Sequence, residues 1–399
     1  MLQASNKLMI HEFTYGKLAD EIEKRQLGQI VEQCFIGSPS DTEPYLNRIG
    51  VDNFRVIRQA KEVVGGLGLL PMGQWYGGLC VPMTGIAAVG IAPEHRGSGA
   101  AIALMQNVVR ELHESGMPLS VLYPATQRLY RKAGYEQGGS YCSWEIPTQS
   151  IQIIEQPLPA IPVALENFEW QKLYQQQAKS NNGNLERHQA IWQRLMQPDE
   201  KETIYAYLLG SLDQPQGYII FRQRRGENES YLVVRDWVIL TTAAAKSFWA
   251  FLAKHRSMVN KVQWRGSVVE SLSLLLPEQT LDPKFVERWV LRIINVEKAL
   301  AARGYPSGVE SELHLEVQDD LLDANQGKFI LSVANGRGEV TRGGKGEMKL
   351  DVRGLAPLYT NLFTPQQLQQ MGYLQATESA IATATALFAN SSPWMPDFF

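Results

Sequence analysis

One strand-to-helix junction near residue 90 constrains the fold of this chain more than any other feature. Residues 83–91 are apolar and carry no charge, as expected for a buried central strand. Pro93 then turns the chain, and a glycine-rich turn at residues 96–99 leads into an apolar pattern of helical spacing that runs to Glu114. This order predicts an α/β fold in which a crossover helix follows a central strand.

The turn Arg96-Gly97-Ser98-Gly99 has the composition of a phosphate-binding loop. Glycines let backbone N–H groups approach a phosphate, the following helix N-terminus adds partial positive charge, and Arg96 adds a full charge. The segment is not a Walker loop, because the Gly-Lys-Ser/Thr ending is missing, and the dinucleotide pattern G-x-G-x-x-G is absent as well. The residues therefore predict a pyrophosphate site.

The order of predicted elements divides the chain into three parts. Helices, a β-meander, a strand and a crossover helix come first, and the same order returns after a proline-containing linker at residues 151–163. We therefore expect three domains, at residues 1–150, 151–287 and 288–399. Near the start of the third domain we expect a helix at residues 285–302, closed by Gly304, with half-buried antiparallel strands further on.

The composition excludes several classes of protein. Lysine and arginine total 38 against 41 acidic residues, and this net charge of -3 argues against a nucleic-acid binder. The 3 cysteines form neither a disulfide framework nor a C-x-x-C pattern, and the 6 histidines have no metal spacing, so we expect no metal. The N-terminus lacks a signal-peptide core, and no apolar run approaches the ~18 residues that span a bilayer. We expect a cytoplasmic protein.

The junction resembles the acyl-CoA signature R-x-x-G-x-A/G of the GCN5-related N-acetyltransferases (the GNAT family), with Arg96, Gly99 and Ala101 at the signature positions. The resemblance implies that acetyl-CoA is the co-substrate, and that the strand before the turn splays from its neighbour to pair with the pantetheine arm. The contacts it implies are Val89, Gly90, Ile91, Arg96, Gly97, Ser98, Gly99, Ala100, Ala101, Ile102, Ala125 and Thr126. A glycine-rich turn without a ligand is the alternative.

Residues 122–135 resemble the strand, helix and Y-x-x-x-G-Y/F segment that closes a GNAT fold. The resemblance implies that Tyr130 is the general acid that protonates the departing thiolate. A tyrosine with its ordinary pKa of about 10 keeps its proton at neutral pH. An aromatic core residue is the alternative interpretation of Tyr130, and Tyr123 and Tyr135 stay open as candidates for the same role.

Over essentially its full length the chain is similar to the Eis family. The resemblance implies two tandem GNAT-like domains, the second degenerate, and a C-terminal α+β domain like the sterol carrier proteins. It implies an N-acetyltransferase in which an amine acceptor (an aminoglycoside, a polyamine or a lysine) attacks acetyl-CoA directly in a ternary complex. It also implies a homo-oligomer, a hexamer in that family, and a general base formed by the terminal carboxylate, here on Phe399. The alternative function is a lipid- or small-ligand-binding protein that senses CoA through its GNAT domain.

The residues give independent support for an unusual base. Residues 83–91 contain no carboxylate, and Glu94 stands too near the expected pyrophosphate. A terminal carboxyl has an ordinary pKa of only about 3.3–3.7, so as a base it needs desolvation or a bridging water. An acceptor that arrives as the neutral amine needs no base.

The last residues of the chain have the composition of a docked tail. Pro393 and Pro396 restrict the backbone, while Trp394, Phe398 and Phe399 offer apolar surface whose burial offsets the ordering entropy. We predict that this tail docks on the N-terminal domain with its carboxylate near the candidate acid.

The matching junction of the second domain, residues 238–246, contains neither a glycine nor an arginine. Its backbone N–H groups are therefore less accessible, and no arginine stands at the turn to face a phosphate. We predict one CoA per chain.

Overall fold

Two β-sheets organise the chain. The structure, a computed structural model, describes residues 13–197 and 203–399. Within these residues a 13-stranded sheet runs through the first two domains, and a 5-stranded sheet forms the third.

The N-terminal domain alternates helices with the strands of a meander. Its elements are β1 (Phe13–Lys17), α1 (Glu21–Phe35), α2 (Pro39–Ile49), β2 (Phe54–Gln59), β3 (Glu62–Tyr76), β4 (Leu79–Ile91), α3 (Ala100–Glu114), β5 (Leu119–Leu122), α4 (Gln127–Lys132) and β6 (Glu136–Pro147). The central strand β4 is antiparallel to β3 and parallel to β5, with the crossover helix α3 between β4 and β5. The expected buried strand and crossover helix are confirmed.

The central domain repeats this plan. Its elements are β7 (Ala160–Pro162), α5 (Trp170–Lys179), β8 (Leu185–Glu186), α6 (Gln189–Met196), β9 (Ile204–Gly210), β10 (Pro215–Arg225), β11 (Ser230–Ile239), α7 (Thr242–Ala253), β12 (Lys261–Gly266) and β13 (Asp282–Ile293). Strands β9, β10 and β11 form an antiparallel meander, and β11 is parallel to β12 across the crossover helix α7. The linker contributes only the short edge strand β7.

The prediction of a helix at residues 285–302 is wrong over its first half. Strand β13 occupies residues 282–293 and pairs with β5 on one side and β6 on the other, inside the sheet of the N-terminal domain. The helix begins only after Asn295, whose side chain accepts the Lys298 N–H as a cap. The expected domain boundary between residues 287 and 288 therefore lies within a strand. Strand β6 in turn pairs with β12, so β13 and β6 join the two domains into one sheet.

Small residues in β6 make this insertion possible. Trp289 of β13 is fully buried against Gly138 and Gly139. A Cβ atom added at Gly139 would lie 2.0 Å from Cζ2 of Trp289, so any larger residue there displaces the indole.

In the C-terminal domain, helices pack on one mixed sheet in which most strand pairs are antiparallel. Its elements are α8 (Val296–Ala302), β14 (Ser311–Gln318), β15 (Gly327–Ala334), β16 (Arg337–Arg342), β17 (Met348–Asp351), α9 (Val352–Thr360), α10 (Pro365–Gln370), β18 (Leu374–Ala376) and α11 (Glu378–Phe388). The inner face of the sheet is filled by buried side chains, in a cluster continuous with residues of β3, β4, β5 and β13. A buried ion pair of Arg292 with Asp319, with N–O distances of 2.7–2.8 Å, fixes β13 to this domain. No helix among the described residues is long and apolar enough to cross a membrane.

Candidate active site

The two central strands of the N-terminal domain separate where the candidate site begins. Strand β4 pairs with β5 only from Met83 to Gly85, and beyond this fork the two strands diverge. The register of β4 against β3 shifts near Ala88, whose φ of 51° is the left-handed region and marks a bulge. Residues 89–91 therefore present backbone groups to the gap with no strand paired on that side. A splayed strand is what the resemblance implied.

The turn after β4 is built for close approach to its backbone. Gly97 and Gly99 have φ values of 79° and 96°, and a Cβ atom at either would meet nothing within 4 Å. These glycines are thus required by conformation rather than by space. Gly99 is the N-cap of α3 and makes no capping bond, so the N–H groups of Ala101 and Ile102 point out of the helix end without an intrahelical acceptor.

A cavity of about 370 Å³ follows this turn. Seven of the expected CoA contacts line it: Ile91, Arg96, Gly97, Gly99, Ala101, Ile102 and Thr126. Arg128 and Lys132 of α4 line it as well and add two positive charges that sequence analysis had not assigned to the site. They stand within the segment that resembles the end of a GNAT fold, and α4 sets them four residues apart, on one face of the helix.

Five of the expected CoA contacts are not among the residues that line this cavity: Val89, Gly90, Ser98, Ala100 and Ala125. Ala100 is buried in the core, and its N–H is bonded to Oγ of Ser98 at 3.3 Å. Ser98 also donates to the carbonyl of His95 at 2.6 Å, so its hydroxyl shapes the turn.

The candidate acid Tyr130 lies on α4 in the core of the N-terminal domain. Burial raises the pKa of its hydroxyl to about 12, so the proton is retained throughout the neutral range. Tyr135 shares a 2.8 Å hydrogen bond with Ser120, and Tyr123 donates to the carbonyl of Asp397 at 2.7 Å. In the part of the chain that the structure describes, the Tyr130 hydroxyl makes no hydrogen bond, which leaves it free to donate.

The C-terminal tail crosses β6 before it reaches the N-terminal domain. The Ser140 N–H donates to the carbonyl of Pro393 at 3.0 Å, and the Met395 N–H donates to Ser140 at 3.1 Å. The central domain holds the same segment from the other side, because Asn184 donates to the carbonyl of Trp394 at 2.8 Å. These bonds fix the direction in which the last residues leave.

A buried ion network anchors the next step of the tail. Arg187 contacts Asp397 through Nε at 2.9 Å and Asp236 through both terminal nitrogens at 2.8 Å. Tyr218 donates to Asp236 at 2.6 Å, and each charged side chain of the network is at least nine-tenths buried. Because its charges are paired and hydrogen-bonded, the network holds Asp397 in one place.

Phe399 lies at the fork between β4 and β5. A Cβ atom added to Gly85 would come within 2.7 Å of Cε2 of Phe399, so the ring is in contact with the last paired residue of β4. The Tyr123 ring lies 4.5 Å from that of Phe398 and 5.9 Å from that of Phe399. The tail therefore docks on the N-terminal domain.

A second cavity, of about 360 Å³, lies on the other side of β4 and is mostly apolar. Its walls come from α1, α2 and α6, and Ala87, Ala88, Phe398 and Phe399 close its inner end. Ile91 lines the first cavity, so β4 contributes to both cavities on either side of the bulge at Ala88, and the chain terminus lines the second cavity. Among the described residues, no group of three or more histidine, cysteine or acidic side chains is arranged to hold a metal ion.

Comparison with known proteins agrees with this architecture. Residues 17–138 and 183–293 each match a model of an acetyltransferase (GNAT) domain, and residues 296–396 match a model of a sterol carrier protein domain. The chain therefore contains two acetyltransferase-fold units and one sterol-carrier-like unit.

Whole-chain relatives give the family. A GCN5-related N-acetyltransferase from Anabaena variabilis is 61% identical with a TM-score of 0.95, and the match covers 97% of this chain and 100% of that one. An uncharacterized N-acetyltransferase of Streptomyces avermitilis is 24% identical, with coverage of 96% and 94%. The N-acetyltransferase Eis of Mycobacterium tuberculosis is 25% identical, with coverage of 79% and 80%. The chain belongs to the GCN5-related N-acetyltransferases, and its three matched domains and its Eis relative agree with the resemblance to the Eis family.

Proposed function

We propose that this acetyltransferase moves the acetyl group of acetyl-CoA to an amine that enters through the second cavity, with Phe399 as base and Tyr130 as acid. The observation that carries the proposal is the position of Phe399, which lines the second cavity while its ring contacts the fork of β4 and β5. In the proposed complex its carboxylate therefore faces the acceptor amine at the fork.

The proposed reaction is a direct attack in a ternary complex. The terminal carboxylate of Phe399 takes a proton from the acceptor ammonium, and the free amine attacks the thioester carbonyl. Backbone N–H groups at residues 89–91, unpaired on the side of the gap, stabilise the negative charge that develops on the carbonyl oxygen. The carbon–sulfur bond then breaks and Tyr130 protonates the departing thiolate. The amide nitrogen loses its second proton to solvent, and solvent returns a proton to the Tyr130 phenolate.

The co-substrate has a matching site. The unbonded N–H groups at the start of α3 and the side chains of Arg96, Arg128 and Lys132 offer positive charge for the phosphates of CoA. Ile91, Ile102 and Leu129 line the same cavity and offer apolar contact for the pantetheine arm.

Two variants test the assignment of the acid and the base. Two residues added after Phe399 displace the carboxylate, and Tyr130→Phe removes the hydroxyl but keeps the ring. We expect each to lower kcat by about 10²–10⁴-fold, the usual contribution of one proton-transfer group, while calorimetry shows unchanged acetyl-CoA affinity. Wild-type turnover of the extended protein between about pH 6 and 9 contradicts the base assignment.

The pKa of Tyr130 gives a further check. The hydroxyl is an acid only while protonated, and burial raises its pKa to about 12, so its activity is lost only as the pH rises towards that value. We therefore expect no decline of kcat between about pH 7 and 10 that is caused by deprotonation of Tyr130. A decline in this range that is present in the wild type and absent in Tyr130→Phe would contradict the assignment.

The lipid-binding alternative gains no support from the third domain. Leu313, Leu315, Phe329 and Leu331 on the inner face of its sheet are each at most 1% exposed, so side chains occupy the place of an acyl chain. The cytoplasmic location and the hexamer stay predictions, and light scattering of the purified protein tests the latter.

A further inference from the structure

A third cavity, of about 500 Å³, lies in the central domain where strands β11 and β12 diverge. Its walls come from the ends of α5 and β11, from the loop at residues 267–272 that follows β12, and from the tail at residues 391–394. This volume is within the usual range for small-molecule sites. The proposed reaction uses no residue of this cavity, so its lining needs a separate explanation.

Glu270 is the only charged side chain among the described residues that line the third cavity. It is 8% exposed, and a Cβ atom added to Gly266 would lie 2.0 Å from its Oε2 atom, so the carboxylate fills space that this glycine leaves open. Its Oε1 atom accepts the N–H of Leu272 at 3.1 Å, and Oε2 lies 3.4 Å from Nε1 of Trp264. Both donors are neutral, so within the described part of the chain this buried carboxylate has no cationic partner.

The surroundings of Glu270 do not balance its charge. Burial raises the pKa of Glu270 to about 7, and its two hydrogen bonds only partly oppose this. Glu270 also lines a neighbouring cavity of about 450 Å³, which adds the acid Glu278 and has no lysine or arginine among its described lining residues. Cys142 of β6 is neutral, because burial and the charge of Glu270 raise the pKa of its thiol to about 11.

Two arginines near Cys142 do not compensate Glu270. The side chain of Arg265 donates to the hydroxyl groups of Tyr141 and Ser143, the first at 2.6 Å. Arg265 and Arg288 lower the pKa of Cys142, but neither lines the third cavity and neither shifts the pKa of Glu270. A ligand that carries a positive charge would therefore supply the partner that this carboxylate lacks.

Two indoles form an aromatic part of the same cavity. The rings of Trp237 and Trp394 line it with their planes 14° apart and their centroids 6.0 Å apart. Nε1 of Trp394 donates to Oδ1 of Asn181 at 3.2 Å. Nε1 of Trp237 donates to a backbone carbonyl at 2.8 Å, so both N–H groups are used within the protein. The indoles thus offer a ligand their ring surface, and the face of an indole attracts a cation.

We propose that the third cavity binds a compact organic cation, an alkylated ammonium whose charge faces Glu270 and whose alkyl groups contact Trp237 and Trp394. A quaternary nitrogen has no N–H to donate, and ring faces attract its charge without a directed hydrogen bond. The charge of Glu270 disfavours a phosphate ligand, and one carboxylate is too small a ligand set for a calcium or magnesium ion. The site lies outside the proposed active site and goes beyond the proposed function.

The first experiment compares two probes that differ in one charge. Choline and 3,3-dimethylbutan-1-ol have the same shape, but only choline carries the quaternary ammonium, and neither has an N–H group to acetylate. Calorimetry on the full chain measures both without acetyl-CoA. We expect the Kd of choline to be lower by about tenfold or more. Equal affinities, or no binding of choline at up to about 10 mM, overturn the proposal.

The second experiment removes the buried charge and compares it with a matched control. Glu270→Gln keeps the shape of the side chain, and Glu278→Gln makes the same change on the exposed acid of the neighbouring cavity. We expect Glu270→Gln to weaken choline binding at least about tenfold, and Glu278→Gln to leave it as in the wild type. Choline bound in the second cavity would keep its affinity in Glu270→Gln. That result, or an equal loss in Glu278→Gln, contradicts the proposal.

A third variant leaves the buried carboxylate in place and so does not depend on the folding of Glu270→Gln. Ser180 lies exposed at the rim of the third cavity, at the end of α5, and Ser180→Lys adds a positive charge there. Ser115→Lys is the control, because Ser115 is exposed at the end of α3 in the same way. We expect only Ser180→Lys to weaken choline binding, by about threefold or more, with binding of 3,3-dimethylbutan-1-ol unchanged. Unchanged choline affinity in Ser180→Lys, with a wild-type melting temperature, overturns the proposal.

Discussion

The two acetyltransferase-fold domains share one framework but differ at the strand-to-helix junction. In each domain two parallel strands pair over only three residues before they diverge. These residues are 83–85 of β4, paired with β5, and 231–233 of β11, paired with β12. The N-terminal junction is an eight-residue turn, at residues 92–99, with two glycines of positive φ. The central junction has two residues, and Thr241 caps α7 with its own side chain. The predicted phosphate site of the N-terminal domain thus depends on this turn, in which the two domains differ, rather than on the sheet, which they share.

The charges around the two gaps differ as well. Arg96, Arg128 and Lys132 line the N-terminal cavity, whereas the cavity of about 500 Å³ beside the central gap has no lysine or arginine among its lining residues. In the central gap Trp237 donates to the carbonyl of Arg265 at 2.8 Å, and Trp394 stacks on it with centroids 6.0 Å apart. Indoles therefore occupy the place that a pantetheine arm would need.

The central domain has a structural part in the N-terminal site instead. It provides Arg187 and Asp236, which fix Asp397, and it provides β13, which completes the N-terminal sheet. The predicted lack of a CoA site in the central copy is compatible with a role in positioning the chain terminus.

The largest expected effect separates the two junctions directly. Arg96→Glu places a like charge at the phosphate site, and we expect acetyl-CoA affinity to fall by about 100-fold or more. Lys246→Glu, a charge reversal on α7, should leave affinity unchanged if the central copy binds no CoA, as we predict. Calorimetry measures both, with an expected wild-type stoichiometry of one. Two bound CoA molecules per chain would remove the distinction between the copies.

The next effect tests whether the central domain positions the terminus. Asp397→Asn keeps the shape of the side chain but removes the charge that faces Arg187, so the tail is held less firmly. We expect kcat to fall by roughly 30-fold and the melting temperature to decrease, while acetyl-CoA affinity stays as in the wild type. Steady-state kinetics and thermal melting measure these, and an unchanged kcat shows that the network is only structural.

Local signals in the sequence were enough to predict the N-terminal junction and the docked tail. Glycine, proline and aromatic residues determine structure within a few positions of where they stand. The turn at residues 96–99 and the apolar terminus could therefore be recognised from the sequence directly. The position of β13 could not, because the apolar and aromatic residues within 285–293 have a spacing that suits a helix or a strand, and the partners of this segment lie more than 130 residues away.

The ion network and the second cavity could not be predicted from the sequence for the same reason. Arg187 lies 49 positions from Asp236 and 210 positions from Asp397 in the sequence. Isolated charged residues of this kind produce no periodic pattern. The walls of the second cavity likewise come from α1, α2, α6 and the tail, which only the fold brings together.

A smaller effect is expected at the fork. Gly85→Ala adds a methyl group in contact with Phe399 and with Cε of Met72, 2.6 Å away, so the ring must shift. We expect kcat to fall about tenfold with little change in acetyl-CoA affinity. Gly308→Ala is the matched control, because a Cβ atom there meets nothing within 4 Å. Equal rates of the two variants would show that the position of the Phe399 ring does not matter to turnover.

The smallest effect concerns the capping of the two crossover helices. Oγ1 of Thr241 accepts the N–H of Ala244 at 3.1 Å, so Thr241→Ala removes a cap and we expect a loss of about 1 kcal/mol of stability. Because this helix end is satisfied by its own chain, acetyl-CoA affinity should not change. In α3 the N-cap Gly99 has no side chain and Ser98 accepts only the Ala100 N–H, so we expect bound acetyl-CoA to protect the amides of Ala101 and Ile102 from hydrogen exchange while those of α7 are unaffected. Equal protection at both helix starts would mean that the central junction also binds the ligand.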